Sequence, residues 1–417
     1  MRVLVTGLST YWGGRVAQAL AAVECRAGRD VRREMKLYAA LGASLIYTPD
    51  ATGPETGAAW TKALELAESL DDPEYQLRSL WGLWVSHTAA GRHRVALELA
   101  QRCYTVATNR SDSNHRLVAE RLIGVSQFYL GDLPAARRHI ERVLADYVGS
   151  DHRSLIIRFQ VDQRMAARVF LAWILWLQGF PDQAMRTAES SIQDARAANH
   201  VTSLCFALAH AACPIALWSG DLTAAESYVD TLLDQSIRQH VLAVHHVLGL
   251  CHQRVLAVKR GDVSGLRLLR AGFDDLGEAN AMFRFPFLSE MAEALGRAGQ
   301  IADGLAAIDE AIERCERTEE HWVMSELLRI KGELLLLQAA PAAAAAEDQF
   351  RQALDWARRR GALSFELRAA TSLARLWRDQ DRPADAMALL QPVYDRFTEG
   401  FDTADLQAAK ALIDALR

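Results

Sequence analysis

The sequence lacks the short motifs by which many enzymes are recognised. It contains no Gly-x-x-x-x-Gly-Lys-Ser/Thr loop, which would hold nucleotide phosphates, and no Tyr-x-x-x-Lys catalytic pair. No Ser/His/Asp, Cys/His or paired-carboxylate arrangement stands out from the surrounding helix-surface residues. We therefore expect a protein that is not an enzyme, with no catalytic residues and no cofactor.

Excess charge, long apolar runs and patterned cysteines are also missing. The 417-residue chain has a formal net charge of -5, so its bulk charge does not indicate binding to nucleic acid or to an anionic membrane. No apolar run reaches the roughly 18 residues of a membrane span, and the first run breaks at Thr6-Gly7, which disfavours a signal peptide. The cysteines have neither metal nor disulfide spacing, which is typical of a reduced cytoplasmic protein. They are Cys25, Cys103, Cys205, Cys213, Cys251 and Cys315.

What the sequence does contain is a repeated turn between helices. The clearest copy is Trp176-Leu-Gln-Gly-Phe-Pro-Asp-Gln-Ala184, in which an apolar helix ends at a Gly and a small residue follows five positions later. The turns fall at positions 91, 131, 179, 220, 261, 299 and 381, so the gaps are 40, 48, 41, 41 and 38 residues and then 82, which is two periods. A period of about 40 residues with one helix hairpin per unit predicts a helical solenoid.

The repeated turn has a simple physical basis. Glycine accepts the left-handed conformation that ends a helix, and a following Asp can cap the next one. The small residue lets the second helix lie close to the first, but one hairpin cannot bury its apolar stripe, so neighbouring hairpins must stack. The predicted pairs are 31–47 with 55–70, 73–90 with 93–108, 113–130 with 133–148, 161–178 with 181–197, 200–218 with 222–235, 239–259 with 263–277, 283–297 with 301–316, 322–338 with 342–360 and 363–379 with 383–397, before a capping helix at 403–416.

Residues 1–22 differ from the repeats. They have the pattern of a short buried strand, a Gly turn and the start of a helix. This resembles the opening of short-chain dehydrogenases and NAD-dependent epimerases, whose Thr-Gly-x-x-Gly-x-x-Gly turn binds a pyrophosphate. Gly7 and Gly13 match that turn, but Thr10 replaces its middle Gly, and no second strand ending in an acidic residue follows about 20 positions later.

The departures from the dinucleotide-binding pattern decide the predicted domain division. A parallel sheet cannot form from one strand, so we expect Gly7 and Gly13 to be vestigial. Residues 1–25 are predicted to be an epimerase-like leader fragment and residues 26–417 to be one helical repeat domain. The alternative, an NAD(P)-dependent oxidoreductase or epimerase that uses this turn, is disfavoured by the missing strands.

Several phrases within the repeats resemble a known family. Ala346-Glu-Asp-Gln-Phe-Arg-Gln-Ala353 matches the Ala-x-x-x-Phe-x-x-Ala of a tetratricopeptide second helix. From about residue 29 onward the chain is similar to the C-terminal region of bacterial predicted ATPases and winged-helix transcriptional regulators. The other phrases that carry the resemblance are Leu41-Gly-Ala-Ser-Leu-Ile-Tyr, Trp81-Gly-Leu-Trp, Leu177-Gln-Gly-Phe-Pro-Asp-Gln-Ala, Leu328-Arg-Ile-Lys-Gly-Glu-Leu, Leu367-Arg-Ala-Ala-Thr-Ser-Leu-Ala and Phe397-Thr-Glu-Gly-Phe-Asp-Thr-Ala-Asp-Leu.

The resemblance implies both a fold and a function. The expected fold is an all-α, right-handed superhelical solenoid of about nine tetratricopeptide-like hairpins. The expected function is that of a cytoplasmic sensor or scaffold module of a bacterial signal-transduction ATPase-type regulator, without the family's ATPase motif or winged helix. Its expected partner is a protein, such as an ATPase or DNA-binding protein encoded nearby, or a small anionic ligand on the concave face. A free-standing adaptor remains an alternative, and neither direct nucleic-acid binding nor membrane binding is expected.

The best candidate binding residues surround an extra segment, 150–160, which lengthens one repeat. Arg158, Arg164 and Arg168 cluster there, and Trp173 follows on the next first helix. They are predicted either to hold an anionic ligand or partner carboxylate, or to pair with local acids.

Aromatic and histidine clusters have simpler interpretations. The tryptophan pairs at 81 and 84 and at 173 and 176 suit a core, although first helices also line the groove of a solenoid and can present binding anchors. His245 and His252 share a helix face, but no third and fourth ligand accompanies them, so no metal site is predicted.

Overall fold

The described part of the chain forms helices that pair as successive hairpins. The computed structural model describes residues 30–46, 53–109, 113–147, 156, 158–159, 161–238, 243–262, 264–276, 285–339 and 342–417. The main helices are α1 (Val31–Leu45), α2 (Pro54–Ser69), α3 (Pro73–Ala89), α4 (His93–Asn109), α5 (Ser113–Tyr129), α6 (Leu133–Asp146), α7 (Gln163–Leu177), α8 (Pro181–Ala197), α9 (Val201–Ser219), α10 (Leu222–Arg238), α11 (Ala243–Lys259), α12 (Ser264–Leu276), α13 (Phe285–Arg297), α14 (Ile301–Thr318), α15 (Met324–Leu336), α16 (Ala343–Arg360), α17 (Leu363–Asp379), α18 (Pro383–Tyr394) and α19 (Ala404–Ala415). Nine consecutive pairs followed by α19 confirm the predicted all-α solenoid.

The turns between paired helices follow the capping rules. All seven predicted turn residues have positive φ, from 58° at Asp381 to 92° at Gly261. Side-chain caps start two of the following helices: Asp132 accepts a hydrogen bond from the main-chain N–H of Ala135 at 3.0 Å, and Asp221 accepts one from that of Ala224 at 2.9 Å. The small residue five positions after the turn is fully buried in the best-formed repeats, for example Ala136 and Ala184. Local chemistry therefore accounts for the hairpins.

Tight packing between neighbouring hairpins is clearest around Trp60. Its indole is fully buried between α1 and α3. A Cβ added at Gly42 would lie 2.6 Å from this ring, and one added at Gly82 would lie 2.2 Å from it. The two glycines thus make room for one large side chain that joins the first hairpin to the second.

Helix α9 is long and apolar enough, by length and composition, to cross a membrane. Its most apolar stretch is nevertheless 72% buried among neighbouring helices, as expected for a core helix. A π-helical turn at Leu208–Ala212 interrupts it. The indole N–H of Trp173 donates to the main-chain oxygen of His210 within this turn. The irregular turn therefore fixes a contact with α7.

The first half of the solenoid, which ends with α9, contacts the part of the chain that follows α14. We call this contact the seam, and the ends of α5, α7 and α9 form it on the side of the first half. The main-chain N–H of His321 donates to the oxygen of Tyr129 at 2.9 Å, and Ser364 Oγ donates to the oxygen of Trp176. These oxygens belong to the last turns of helices, where intrahelical donors are missing. The second half thus caps helix ends of the first half.

A further part of the seam joins the first turn of α8 to the turn before α19. Gln183 donates to both carboxylate oxygens of Glu399, at 2.9 Å from its main-chain nitrogen and 3.0 Å from its side chain. The main-chain N–H of Gly400 donates to Asp182 at 3.3 Å. Contacts between residues 216 to 218 positions apart show that the superhelix closes on itself here.

Two earlier predictions concern residues outside the described part of the chain. The leader, with Gly7 and Gly13, and the domain boundary near residue 25 both lie there. So does most of the extra segment, of which only residues 156 and 158–159 are described.

Candidate binding cleft

A charged cleft lies where the first helices of the later hairpins face one another. Its volume is about 190 Å³, and α9, α11, α13, α15, α17 and α19 contribute to its walls. The described lining is Trp218, Lys259, Ser289, Glu290, Glu293, Trp322, Val323, Glu326, Arg329, Ile330, Phe365, Arg368, Thr371, Ser372, Arg375, Asp405 and Ala408. The cleft is therefore on the face that first helices share, as expected for the groove of a solenoid.

Helical spacing brings the charged residues to the same side. Glu326 and Arg329 are three residues apart on α15, so they lie on one face of that helix. Arg368 and Arg375 are seven apart on α17, which also places them on one face. Because the two helices belong to successive hairpins, their charged faces meet across the cleft.

The centre of the cleft wall is a buried ion network around Glu326. Its Oε2 accepts from Arg329 Nε at 2.8 Å, and its Oε1 accepts from Arg329 and from Arg368, each at 2.9 Å. Burial alone would raise the pKa of Glu326, but the two guanidinium groups outweigh it and lower the pKa to about 2. Glu326 is therefore ionised at neutral pH.

Arg329 and Arg368 extend this network to neighbouring helices. Arg329 Nη2 donates to Glu293 of α13 at 2.5 Å. Arg368 Nε donates to Asp405 of α19 at 2.7 Å. Burial would lower the pKa of each arginine, but their acidic partners raise both above the usual value. Four helices are thus joined by alternating charges.

Arg368 also connects the cleft to the seam. Its Nη2 donates to the main-chain oxygen of Trp218 at 3.2 Å, and its guanidinium carbon lies 4.9 Å from the centre of the Trp176 ring. Trp176 is itself a seam residue, because its oxygen accepts from Ser364. One side chain therefore contacts both the cleft and the junction of the two halves.

The outer part of the cleft is less tightly paired. Lys259 Nζ lies 2.9 Å from Glu290. Glu333, beside the lining, accepts from Ser372 Oγ at 2.5 Å and lies 3.7 Å from Arg329 Nη1. Arg375 Nη1 is 3.9 Å from Glu333, which exceeds hydrogen-bonding distance.

The arginines predicted from the sequence lie elsewhere and are near local acids. Arg164 Nε and Arg168 Nη1 lie 3.6 Å and 3.1 Å from the same carboxylate, Asp194. Arg158 Nε lies 3.6 Å from Glu74. None of the three lines the cleft, and the structure brings only Arg164 and Arg168 to a common partner.

The predicted aromatic candidates are part of the core. Trp173 is buried, as are Trp81, Trp84 and Trp176. Trp173 stacks edge-on against Trp218, with ring centres 5.3 Å apart. This contact places it behind a cleft residue.

We predict that replacing Arg164 and Arg168 together with Ala will leave the fold nearly unchanged. Ion pairs of partly exposed arginines contribute only about 0–1 kcal/mol each. If the two guanidinium groups hold an anion or a partner carboxylate, the double variant should instead lose capture of the native partner. Circular dichroism melting and affinity capture from the native host measure the two effects.

The control for this double variant is Arg102→Ala, which removes another exposed arginine–acid pair, with Glu68. Capture equal to that of the control would contradict a binding role for Arg164 and Arg168. A collapsed fold would show that they are structural.

The histidines considered for a metal site are packed in the core. His245 and His252 are buried, and burial lowers the pKa of each to about 4. His252 Nε2 lies 2.8 Å from the main-chain oxygen of Ala209. Among the described residues, no three His, Cys, Asp or Glu side chains are grouped to hold a metal ion.

Sequence inspection missed the cleft residues, although a signal was present. Arg329 and Arg368 both occur in the phrases that carry the family resemblance, and so does Asp405. Arg329 and Arg368 each interrupt a mainly apolar stretch of a first helix. A charge on the apolar face of a helix is costly unless it is paired, so such positions indicate a buried network.

The chain was compared with known families, curated proteins and solved structures. No family model and no curated protein matches the sequence. The chain is similar to the solved structure of yeast Tom70, at 12% identity and a TM-score of 0.38, covering 99% of this chain and 95% of the other. A Rap protein complexed with competence and sporulation factor matches at 9% identity and a TM-score of 0.41, covering 99% of this chain and 100% of the other. The P58(IPK) TPR domain matches at 14% identity and a TM-score of 0.24, covering 92% of this chain and 99% of the other. A functional assignment therefore has to rest on the cleft.

Proposed function

We propose that the chain is a binding module that senses a ligand or partner segment in the central cleft. The observation that supports this most directly is the Glu326 network, in which buried ion pairs line a cavity instead of a sealed core. Burying charges is expensive, and apolar residues of similar volume often stabilise a fold equally well or better. A network kept beside a cavity is therefore better suited to recognition than to stability.

We further propose that this module is the sensor arm of a bacterial, cytoplasmic signal-transduction ATPase-type regulator. The support is the set of phrases from the repeats that resemble that family, three of which contain cleft residues. The partner would be a protein encoded nearby that carries ATPase or DNA-binding activity. Arg158, Arg164 and Arg168 would form a second contact, with an anionic group of that partner.

Two alternatives remain distinguishable. A free-standing adaptor would use the same cleft but would have no ATPase encoded beside it, so inspection of the neighbouring open reading frames separates the two. An oxidoreductase would depend on Gly7 and Gly13 and would bind NAD, which titration detects.

The proposed function is tested by charge-neutral variants inside and outside the cleft. In the cleft variant, Glu293→Gln and Arg375→Gln remove one acid and one base from its outer wall. In the control, Glu65→Gln and Arg102→Gln do the same on the exposed surfaces of α2 and α4. We expect at least one native partner or ligand to be retained by the control and weakened about tenfold or more, roughly 1.4 kcal/mol, by the cleft variant. Identical capture by both proteins would refute the proposal.

We also predict that the purified chain neither hydrolyses ATP nor binds NAD. The sequence has no phosphate loop of the P-loop type, and the dinucleotide turn has lost its middle Gly at Thr10. Phosphate release with magnesium and ATP, and NAD titration followed by calorimetry, measure the two activities. Magnesium-dependent turnover that disappears when a residue of this chain is mutated would contradict this prediction.

A further inference from the structure

The charges that line the cleft are balanced. Four described lining residues are acidic and four are basic, so the cleft has no net charge when all are ionised. A ligand with a net charge would have to separate an ion pair and leave one member without a counter-charge. A cleft whose wall charges sum to zero therefore favours a ligand that carries one positive and one negative charge.

Two carboxylates offer acceptors to the cleft. Glu293 accepts from Arg329 through Oε1, and Asp405 accepts from Arg368 through Oδ2. Their side chains are 31% and 29% exposed, while Glu326 between them is buried and uses both oxygens. Each of the outer acids can thus offer its second oxygen without losing its arginine. An ammonium group has three donors and can bind such a free carboxylate oxygen.

One cation is placed to receive a carboxylate. Arg375 is 47% exposed, and its distance of 3.9 Å from Glu333 leaves its guanidinium outside hydrogen-bonding range of that acid. Glu333 is already engaged by Ser372. Guanidinium groups bind carboxylates through two parallel hydrogen bonds, so Arg375 can take a ligand carboxylate in this way.

The size and the apolar walls of the cleft limit the ligand further. About 190 Å³ is below the range of roughly 300–1,000 Å³ that holds drug-sized ligands. Trp218, Phe365 and Ile330 line it beside the charges. A small ligand with an ammonium, a carboxylate and an apolar group would satisfy all of these surfaces.

We propose that the cleft binds a free α-amino acid with an apolar side chain. Its ammonium group is held by Glu293, which binds the same Arg329 that neighbours Glu333. Its carboxylate is held by Arg375, and its side chain by the aromatic wall. This inference rests on the proposed function, because it names the ligand of the same cleft.

The first experiment titrates the full chain with each of the twenty free L-amino acids by calorimetry. For the best binder, it also tests the amide, which lacks the carboxylate, and the desamino acid, which lacks the ammonium. We expect an apolar amino acid to bind with a Kd below about 1 mM and each analogue to bind at least about tenfold more weakly. Analogues that bind as well as the amino acid, or no binding by any amino acid, would overturn the proposal.

The second experiment assigns each charge to its residue. In Arg375→Gln the amino acid and its amide should bind equally, and in Glu293→Gln the difference between the amino acid and its desamino analogue should shrink. Arg102→Gln, remote from the cleft, should behave as wild type. Tighter binding of inorganic phosphate than of any amino acid would show an anion site and refute the assignment.

The two proposals fail in different ways. If no amino acid binds but the cleft variant still loses a native partner, the cleft is a binding site and only the ligand class is wrong. If the cleft variant also captures every native partner as well as the control does, the proposed function is wrong as well.

Discussion

Glu326→Gln should destabilise the fold by about 3–5 kcal/mol, although the substitution conserves the shape of the side chain. Glu326 is buried and receives three hydrogen bonds from Arg329 and Arg368. Both arginines remain charged under all ordinary conditions. Without the carboxylate they face each other across the cleft wall, with Glu293, Asp405 and the more distant Glu333 to offset them. The loss reflects uncompensated buried charge.

Urea unfolding followed by circular dichroism measures this effect. The matched control is Glu65→Gln, because Lys62 and Glu65 have the same three-residue spacing but lie on an exposed helix face at 2.9 Å. Exposed pairs contribute about 0–1 kcal/mol, so the control should change little. Similar small losses in both variants would mean that water reaches the Glu326 network and that its charges are not buried.

The same network predicts a defined acid sensitivity. The pKa of Glu326 is lowered from 4.5 to about 2, so its ionised form stabilises the fold fully above about pH 4.5. That contribution, about 3 kcal/mol, should be lost as the pH falls from 4.5 towards 2. Glu326→Gln has no carboxylate to titrate there. We therefore expect the unfolding free energies of the two proteins to converge in this window, and parallel curves would contradict the assignment.

The hairpins could be predicted because their signals are local. A Gly with positive φ and an Asp cap, such as Gly131 and Asp132, act within a few residues of sequence. The repeat then multiplies this signal over nine pairs, so a weak member such as Asp381 is still found. Stacking of neighbours follows from the apolar stripe alone.

The cleft could not be predicted in the same way, because its partners are one repeat apart. Glu293, Glu326, Arg368 and Asp405 are separated by 33, 42 and 37 residues. The sequence around a residue such as Arg368 can indicate that its charge is buried, but not which residue it pairs with. Only the stacking of successive first helices brings them into one network. The arginines Arg158, Arg164 and Arg168 were predicted instead because they surround the irregular segment at 150–160. Their role in binding stays a prediction.

The seam contacts could not be predicted from the sequence either. Whether a solenoid closes on itself depends on small rotations added over many repeats. The residues that meet, such as Trp176 and Ser364, are 188 positions apart. No local rule specifies that contact, but once it is known it predicts that the turn at Gly179 will tolerate little change.

Gly179→Ala should lower the free energy of unfolding by more than the positive φ of this residue alone explains. The φ of Gly179 is +89°, and an added Cβ would lie 2.7 Å from Leu363 Cδ2 and 3.1 Å from Phe397. Forcing an alanine into the left-handed region costs roughly 1–2 kcal/mol. The clash with the second half of the chain should add about 1–3 kcal/mol. The total should be about 2–5 kcal/mol.

Gly299→Ala is the matched control for this prediction. Gly299 has a φ of +77°, and no atom lies within 4 Å of its added Cβ. Both glycines donate to the oxygen three residues before, at 3.1 Å for Gly179 and 3.0 Å for Gly299, so the backbone turn is the same. The control should therefore lose only the roughly 1–2 kcal/mol of the left-handed region.

Hydrogen exchange separates the two effects along the chain. In Gly179→Ala the Leu363 side chain must shift, and this should loosen the start of α17, where Ser364 caps the oxygen of Trp176. Amide exchange should therefore accelerate in α17 and near the end of α7, on both sides of the seam. In Gly299→Ala it should accelerate only around the turn between α13 and α14. Equal losses of stability in the two variants, with no change of exchange in α17, would mean that the seam deforms without cost. Arg368 would then contact no rigid junction, and a ligand in the cleft could not act through it on the first half of the solenoid.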